Sequence, residues 1–168
     1  MPPFEWAAAL LMTMPGIDRT AACALIAEIG ADMTRFPSSR HLASWAGLCP
    51  GNNQSAGKQR SGKSHRGNRW IKGVMTEVAW AASRTKHSYA ACFYRRLTPH
   101  RGKKRALVAR ANSLLQAAWH MLGERCTYRE SGADYCNRLQ RERLTESLIR
   151  RLHKLAHTVT LQPVARGT

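Results

Sequence analysis

Ser55 and Ser61 stand in the stretch QSAGKQRSGKSHRGNRW, residues 54–70, among Lys58, Arg60, Lys63, His65, Arg66 and Arg69, with Lys72 just beyond. Gly51, Gly57, Gly62 and Gly67 punctuate the same region, so its cations can converge on one concave site where a rigid face would spread them. Donors gathered in this way suit a phosphate group. A hydroxyl in such a field has two chemical uses: it donates a hydrogen bond to a phosphate oxygen, or it attacks phosphorus. The second use demands a base or a metal ion to take its proton. His65 lies within the stretch, but beside so many cations it reads as a neutral donor or phosphate contact more readily than as that base.

Two further features point to phosphate. A second basic cluster, Arg101, Lys103, Lys104 and Arg105, sits in FYRRLTPHRGKKR, where Thr98-Pro99 reads as a break. Near the start, MTMPGIDRTAACALIAEIG has the pattern of a helix-hairpin-helix. There Gly16 permits a tight turn whose N–H groups, with the next helix N-terminus, can meet a phosphate oxygen. The competing reading is a plain turn between two packed helices, with Asp18 as a cap.

Metal chemistry has little to work with. Paired-metal phosphodiester chemistry needs several carboxylates converging within a few ångströms, and the 10 acidic residues are scattered with no DxD spacing. Cys126, Cys136, His153 and His157 could be gathered around zinc, but their spacing is looser than in zinc modules. Idle thiols and solvated histidines are the simpler reading, and no metal site is expected. The 5 cysteines show no CxxC pair and no secretory leader precedes them, which suits reduced thiols in the cytoplasm.

Helices must position these residues. Apolar residues recur at helical spacing almost throughout the 168 residues, and strand-like alternation is nearly absent. Asp18 caps a helix with the stripe Ala22, Leu25, Ile26 and Ile29, ended by Gly30. A short helix runs from Ser38 or Ser39 through Ala46 and closes at Gly47. The glycine-punctuated stretch that follows is a loop or a short ribbon. Ile71, Val74, Met75, Val78 and Ala82 line another helix, and Leu107, Ala111, Leu114, Leu115, Ala118 and Leu122 a longer one. The last helix spans about 139–156, with Leu144, Leu148, Leu152 and Leu155 inside and its arginines outside; TVTLQPVARGT leaves room for one short C-terminal strand. The expected fold is mainly α: a helix-hairpin-helix, a basic Gly-rich loop and a small helical bundle. Residues 1–125 form the main domain and residues 126–168 a basic helix and tail.

The charge balance names the partner class. With 27 Lys+Arg against 10 Asp+Glu, the formal charge is +17, a surplus that repels itself unless a polyanion neutralises it. DNA is the first choice. A membrane partner is not expected, because no apolar run approaches the roughly 20 residues needed to span a bilayer.

The blocks from PGIDRTAACALIAEIG through GLCPGNNQSAGKQRSGKSHRGNRWIK, RGKKRALVARANSLLQAAWHML and YRESGADYC to LIRRLHKLAHTVTLQP occur in this order over nearly the whole chain. Together they resemble the C-terminal domain of insertion-sequence-110 type transposases, the 116/110/902 group. The resemblance implies a DNA recombinase with two cooperating parts. One is a RuvC-like domain with four acidic residues and Mg2+; the other, resembling this chain, carries a serine that attacks the DNA strand. By position that serine falls on Ser55, with Ser61 in reserve. The resemblance also implies homo-oligomers and, for some members, an RNA guide. No RuvC-like segment is legible, so the expectation is a truncated or split form that binds nucleic acid and exchanges strands poorly alone. The alternative is a non-catalytic nucleic-acid-binding module whose serines only donate hydrogen bonds.

Overall fold

The computed structural model describes residues 4–51, 53–86, 88–130, 132, 135, 141–158 and 160, and for 53, 54, 59, 60 and 141–143 the backbone alone. Helix α1 (Glu5–Leu11) leads through a turn to α2 (Arg19–Ile29), where the Asp18 carboxylate accepts from the Ala21 N–H at 2.8 Å and caps the helix. A single 3-10 turn (Met33–Arg35) follows. The Asp32 carboxylate accepts from the Thr34 N–H and hydroxyl, which holds its pKa below the ordinary 3.8. The stabilisation from these bonds is present above that ordinary value and is lost as pH falls through the lowered one. Next come α3 (Ser39–Trp45), capped by Ser38, and a two-stranded antiparallel ribbon, β1 (Asn53–Ser55) and β2 (Lys58–Ser61). Then α4 (Arg69–Arg84), α5 (Tyr89–Arg101), α6 (Lys103–Glu124) and α7 (Arg141–Lys154) complete the described elements.

The mainly helical expectation holds, and of the loop or short ribbon expected in the glycine-punctuated stretch, residues 53–61 form the ribbon. The core sits around α6, which packs against α1, α3, α4 and α5. The apolar stripes meet there: Leu25 and Ile29 of α2, Leu42 of α3, Ile71 and Met75 of α4, and Leu114 and Leu115 of α6 are buried. Each such side chain contributes about 1.5–3 kcal/mol, whereas an exposed ion pair such as Arg19–Glu5 is worth about 0–1 kcal/mol. Apolar burial therefore holds the bundle together. Cys126 and Tyr128, just past residue 125, pack on this same core. Arg110 is buried too; its guanidinium lies 5.1 Å from the Tyr89 ring centroid and 5.8 Å from that of Phe93, with no carboxylate partner among the described residues.

Two expectations change. No break occurs at Thr98-Pro99: α5 runs through it to Arg101 and ends at Gly102, φ +78°. Proline removes one backbone donor in the last turn, and the Thr98 hydroxyl bonds the Tyr94 carbonyl at 2.7 Å nearby. Leu144, Leu148 and Leu152 of α7, and Leu155 just past it, are exposed, not inside; among the described residues no element covers their face, so helical periodicity there does not translate into burial. The C-terminal strand expected in TVTLQPVARGT falls almost wholly outside the described residues.

Glycine is indispensable where two chain segments cross. At Gly67, φ +87°, an added Cβ would collide with the backbone of Gly47, and at Gly47 with the carbonyls of His65 and Arg66. Gly57 also has positive φ, +74°, but nothing lies within 4 Å. Gly67→Ala should therefore lower the urea unfolding free energy by more than about 3 kcal/mol. Gly57→Ala, which meets only the backbone penalty, should lower it by at most about 1–2 kcal/mol.

Candidate nucleic-acid interface

The serine stretch is a hairpin on a pinned stem. Ala56 and Gly57, at φ +50° and +74°, form a two-residue turn, and two positive φ values match the right-handed twist of the flanking strands. Ser55 pairs with Lys58 and Gln54 with Gln59, while Asn53 pairs with Ser61, so Arg60 is the extra residue of a bulge. Below the ribbon, Pro50 bridges Ser64 and the Gly51 N–H bonds the Lys63 carbonyl at 3.1 Å. Lys72, in the first turn of α4, donates from Nζ to Ser64 Oγ at 2.9 Å and to the His65 carbonyl at 3.4 Å.

Asn68 ties the returning strand to the bundle. Its Oδ1 accepts from the N–H groups of Trp70 and Ile71, its Nδ2 donates to Glu28 Oε2 at 2.7 Å, and its N–H donates to the Trp45 carbonyl at 3.1 Å. The Asn68 side chain thus starts α4 and meets α2, while its main-chain N–H holds the end of α3. Gly67 followed by Asn68 before an apolar stripe is an N-cap signal that could have been read from the sequence; the Glu28 contact could not.

The hydroxyls of the two candidate serines differ. Ser61 Oγ accepts from the Lys63 N–H at 3.2 Å. Ser55 is exposed at the hairpin apex, and its hydroxyl makes no hydrogen bond among the described residues. Lys58, Lys63, Arg66 and Arg69 are exposed, and none is paired with a carboxylate among the described residues. The Arg60 side chain lies outside the description. Lys72 differs from its neighbours: it is half-buried and its head group is turned into the stem.

The second basic cluster lies at the junction of α5 and α6. Trp80, near the end of α4, meets Tyr94, near the start of α5, at 6.2 Å between ring centroids, so the two helices double back on each other. Along α6, Asn112 Nδ2 donates to the Leu48 carbonyl at 3.2 Å, and Arg105 stands two helical turns, about 10 Å, before it. Arg101, Lys103, Lys104 and Arg105 are all exposed and carry no carboxylate partner among the described residues. Gly16 is different. An added Cβ there would stand 2.5 Å from the Val78 carbonyl oxygen and 2.7 Å from the Ala82 nitrogen, so packing against α4 explains this glycine without a ligand.

Among the described residues no three His, Cys, Asp or Glu side chains come together as a metal site, so the Mg2+ that the resemblance implies has no fitting donor set here. Of the weak zinc set, Cys126 packs on the core, His153 and His157 are exposed, and Cys136 lies outside the described residues. No described helix is long and apolar enough to cross a membrane.

A family model for the transposase IS116/IS110/IS902 family matches residues 8–95, just over half of the chain and all of the hairpin. The chain belongs to that family. It is 31% identical over 123 residues to the transposase for insertion sequence element IS1111A of Coxiella burnetii, covering 71% of this chain and 34% of the relative. It is 30% identical over 121 residues to the insertion element IS110 uncharacterized 43.6 kDa protein of Streptomyces coelicolor, covering 71% and 29%. A shorter match, 44% identical over 54 residues, is to the pilin gene-inverting protein of Moraxella lacunata and covers 32% of this chain and 16% of that protein. The chain thus spans about a third or less of the length of these relatives. The matched residues end before the Arg101–Arg105 cluster.

The Lys72 bonds make the stem testable by itself. Hydrogen bonds from a charged donor are worth about 1.5–3 kcal/mol, so Lys72→Met should speed amide exchange at Gly51 by about tenfold or more. Lys72→Arg should give a smaller change, and the core amides of α6 should not move in either variant.

Proposed function

We propose that this chain is the nucleic-acid-binding, serine-bearing part of a transposase, with the hairpin apex delivered to a DNA phosphate. The observation that carries the reading is the pairing of an exposed, unbonded Ser55 hydroxyl with exposed cations that have no carboxylate partners among the described residues. Lys58, Lys63, Arg66, Arg69 and the Arg101–Arg105 cluster grip the phosphate backbone, and Arg60 belongs to the same set by position. Ser55 Oγ forms a bond to phosphorus as the bond from phosphorus to the leaving sugar oxygen breaks. The cations stabilise the negative charge that develops at phosphorus. The serine proton passes to a base outside the described residues, and a RuvC-like acidic domain with Mg2+ is the class of partner that would supply it. Ser61 is the reserve nucleophile, disfavoured because its hydroxyl is already bonded to the Lys63 N–H. DNA is the substrate; an RNA guide and assembly into homo-oligomers extend the same reading, as does a cytoplasmic site of action.

One observation favours a second reading. No base is bonded to Ser55 among the described residues, as suits a module that binds nucleic acid and performs no chemistry. The two separate in a covalent-trapping assay on nicked or suicide DNA, with an acidic family domain added. The transposase reading expects a protein–DNA adduct that disappears in Ser55→Ala while affinity stays within about twofold. An adduct that persists in Ser55→Ala removes that serine from the role, and no adduct with the unmodified chain leaves the binding module.

Binding is checked separately. Affinity for duplex DNA should fall steeply with salt, with a slope near −0.9 per phosphate neutralised, and Lys63→Ala or Arg66→Ala should each reduce the slope by about 1. A flat salt response would contradict both readings.

A further inference from the structure

The protein has 5 tryptophans, and four of them have a structural reason for their position. Trp6 lies beneath the Arg125 guanidinium at 4.8 Å, Trp45 packs on Phe36 at 5.5 Å, Trp80 meets Tyr94 and Arg84, and Trp119 donates its N–H to the Phe36 carbonyl at 3.3 Å. Trp70 has no ring, cation or hydrogen-bond partner for its side chain among the described residues. It is 73% exposed, against 36–45% for Trp6, Trp45 and Trp80. A large apolar ring held this far into water contributes nothing to the core.

The backbone beneath it is fixed all the same. The Trp70 N–H bonds Asn68 Oδ1 at 2.9 Å, in the capping arrangement that also ties Asn68 to Glu28 and Trp45. Side chains in the first turn of a helix lean toward its N-terminus, and the chain just before and at that turn carries Arg66 and Arg69, both exposed and unpaired with carboxylate among the described residues. Ile71 faces the core and Lys72 turns into the hairpin stem. Successive helix positions are about 100° apart, so Trp70 projects from the flank of α4 roughly opposite Lys72, at the same end of the bundle but away from the stem.

An aromatic face flanked by cations is the arrangement that binds unpaired nucleotides: the base stacks on the ring while the phosphates meet the positive charges. In a continuous duplex every base face is already covered by its neighbours, so a flat ring beside the backbone has no equivalent partner. We propose that Trp70 forms a stacking site for an unpaired nucleobase at the start of α4, within the same basic stretch of chain as Arg66 and Arg69. The proposal rests on the nucleic-acid-binding reading and adds to it a preference for single-stranded segments. Such segments exist wherever strands are opened around a cleavage point, and the site would hold one on the flank of α4 while the hairpin engages the backbone.

The test compares the 168-residue chain with Trp70→Ala and Trp70→Phe by fluorescence anisotropy. The probes are a labelled 20-nucleotide single-stranded DNA, its RNA counterpart, and the 20-base-pair DNA duplex, each over a range of salt. Base–aromatic stacking of this kind should make Trp70→Ala bind the single strands about tenfold or more weakly, with duplex affinity within about twofold and unchanged salt slopes. Trp70→Phe should recover most of the loss. The DNA and RNA arms show which source of unpaired base is preferred. An unchanged single-strand affinity in Trp70→Ala overturns the proposal, as does an equal loss on duplex and single strand; both leave nucleic-acid binding intact. If the unmodified chain binds none of the probes in a salt-dependent way, the binding reading fails and the stacking site fails with it.

Discussion

The crossing of Gly47 and Gly67 is the constraint on which the rest of the molecule depends. At this point the backbone leaving α3 and the backbone entering α4 touch with no side chain between them: a Cβ on Gly67 would enter the main chain of Gly47, and one on Gly47 would meet the carbonyls of His65 and Arg66. The crossing brings Asn68 onto the Trp45 carbonyl and Glu28, so the excursion from 48 to 67 begins and ends at one place. A ribbon whose two feet are fixed together can be short, polar and exposed without losing its register. A bulkier residue at the crossing would spread the feet and stretch the bonds that join them, from the Asn68 N–H to the Trp45 carbonyl and from the Gly51 N–H to the Lys63 carbonyl.

The distribution of charge follows a second logic. Acidic side chains are used within the fold: Asp18 and Asp32 as caps, Glu28 on Asn68, Glu130 on the Tyr89 N–H, and Glu5, Glu124 and Glu146 in exposed pairs. None of these is paired with a hairpin cation, so among the described residues no ion pair offsets the mutual repulsion of those cations. A buried apolar core tolerates that repulsion because burial outweighs exposed charge pairs several-fold per side chain. The same imbalance gives a polyanion its binding energy, since phosphates that replace small counterions relieve the repulsion and release those ions.

Family membership and geometry bear on different questions. The match over residues 8–95 covers the hairpin and its supports, and the chain spans about a third of its longer-matched relatives. Geometry separates the serines, because Ser61 is engaged by its own turn while Ser55 stands free at the apex. It also removes Lys72 from the open cationic surface, since a lysine whose head group fastens the start of α4 to Ser64 and His65 serves the shape of the site first.

Much of this was legible in the order of residues. Helical periodicity identified α2, α4 and α6 with their buried stripes, Asp18 and Gly30 marked the limits of α2, and the charge excess pointed to phosphate. These are local or compositional properties, and short-range physics suffices for them. The exposed leucines of α7, the continuation of α5 through Pro99 and the buried Arg110 depend on what packs alongside, which no periodicity reports. The pairing of Ser64 with Lys72, the grip of Asn68 on Glu28 and the isolation of Trp70 were decided only in three dimensions. Each depends on residues distant in the chain meeting, or failing to meet, and that is set by how the helices close on their common core.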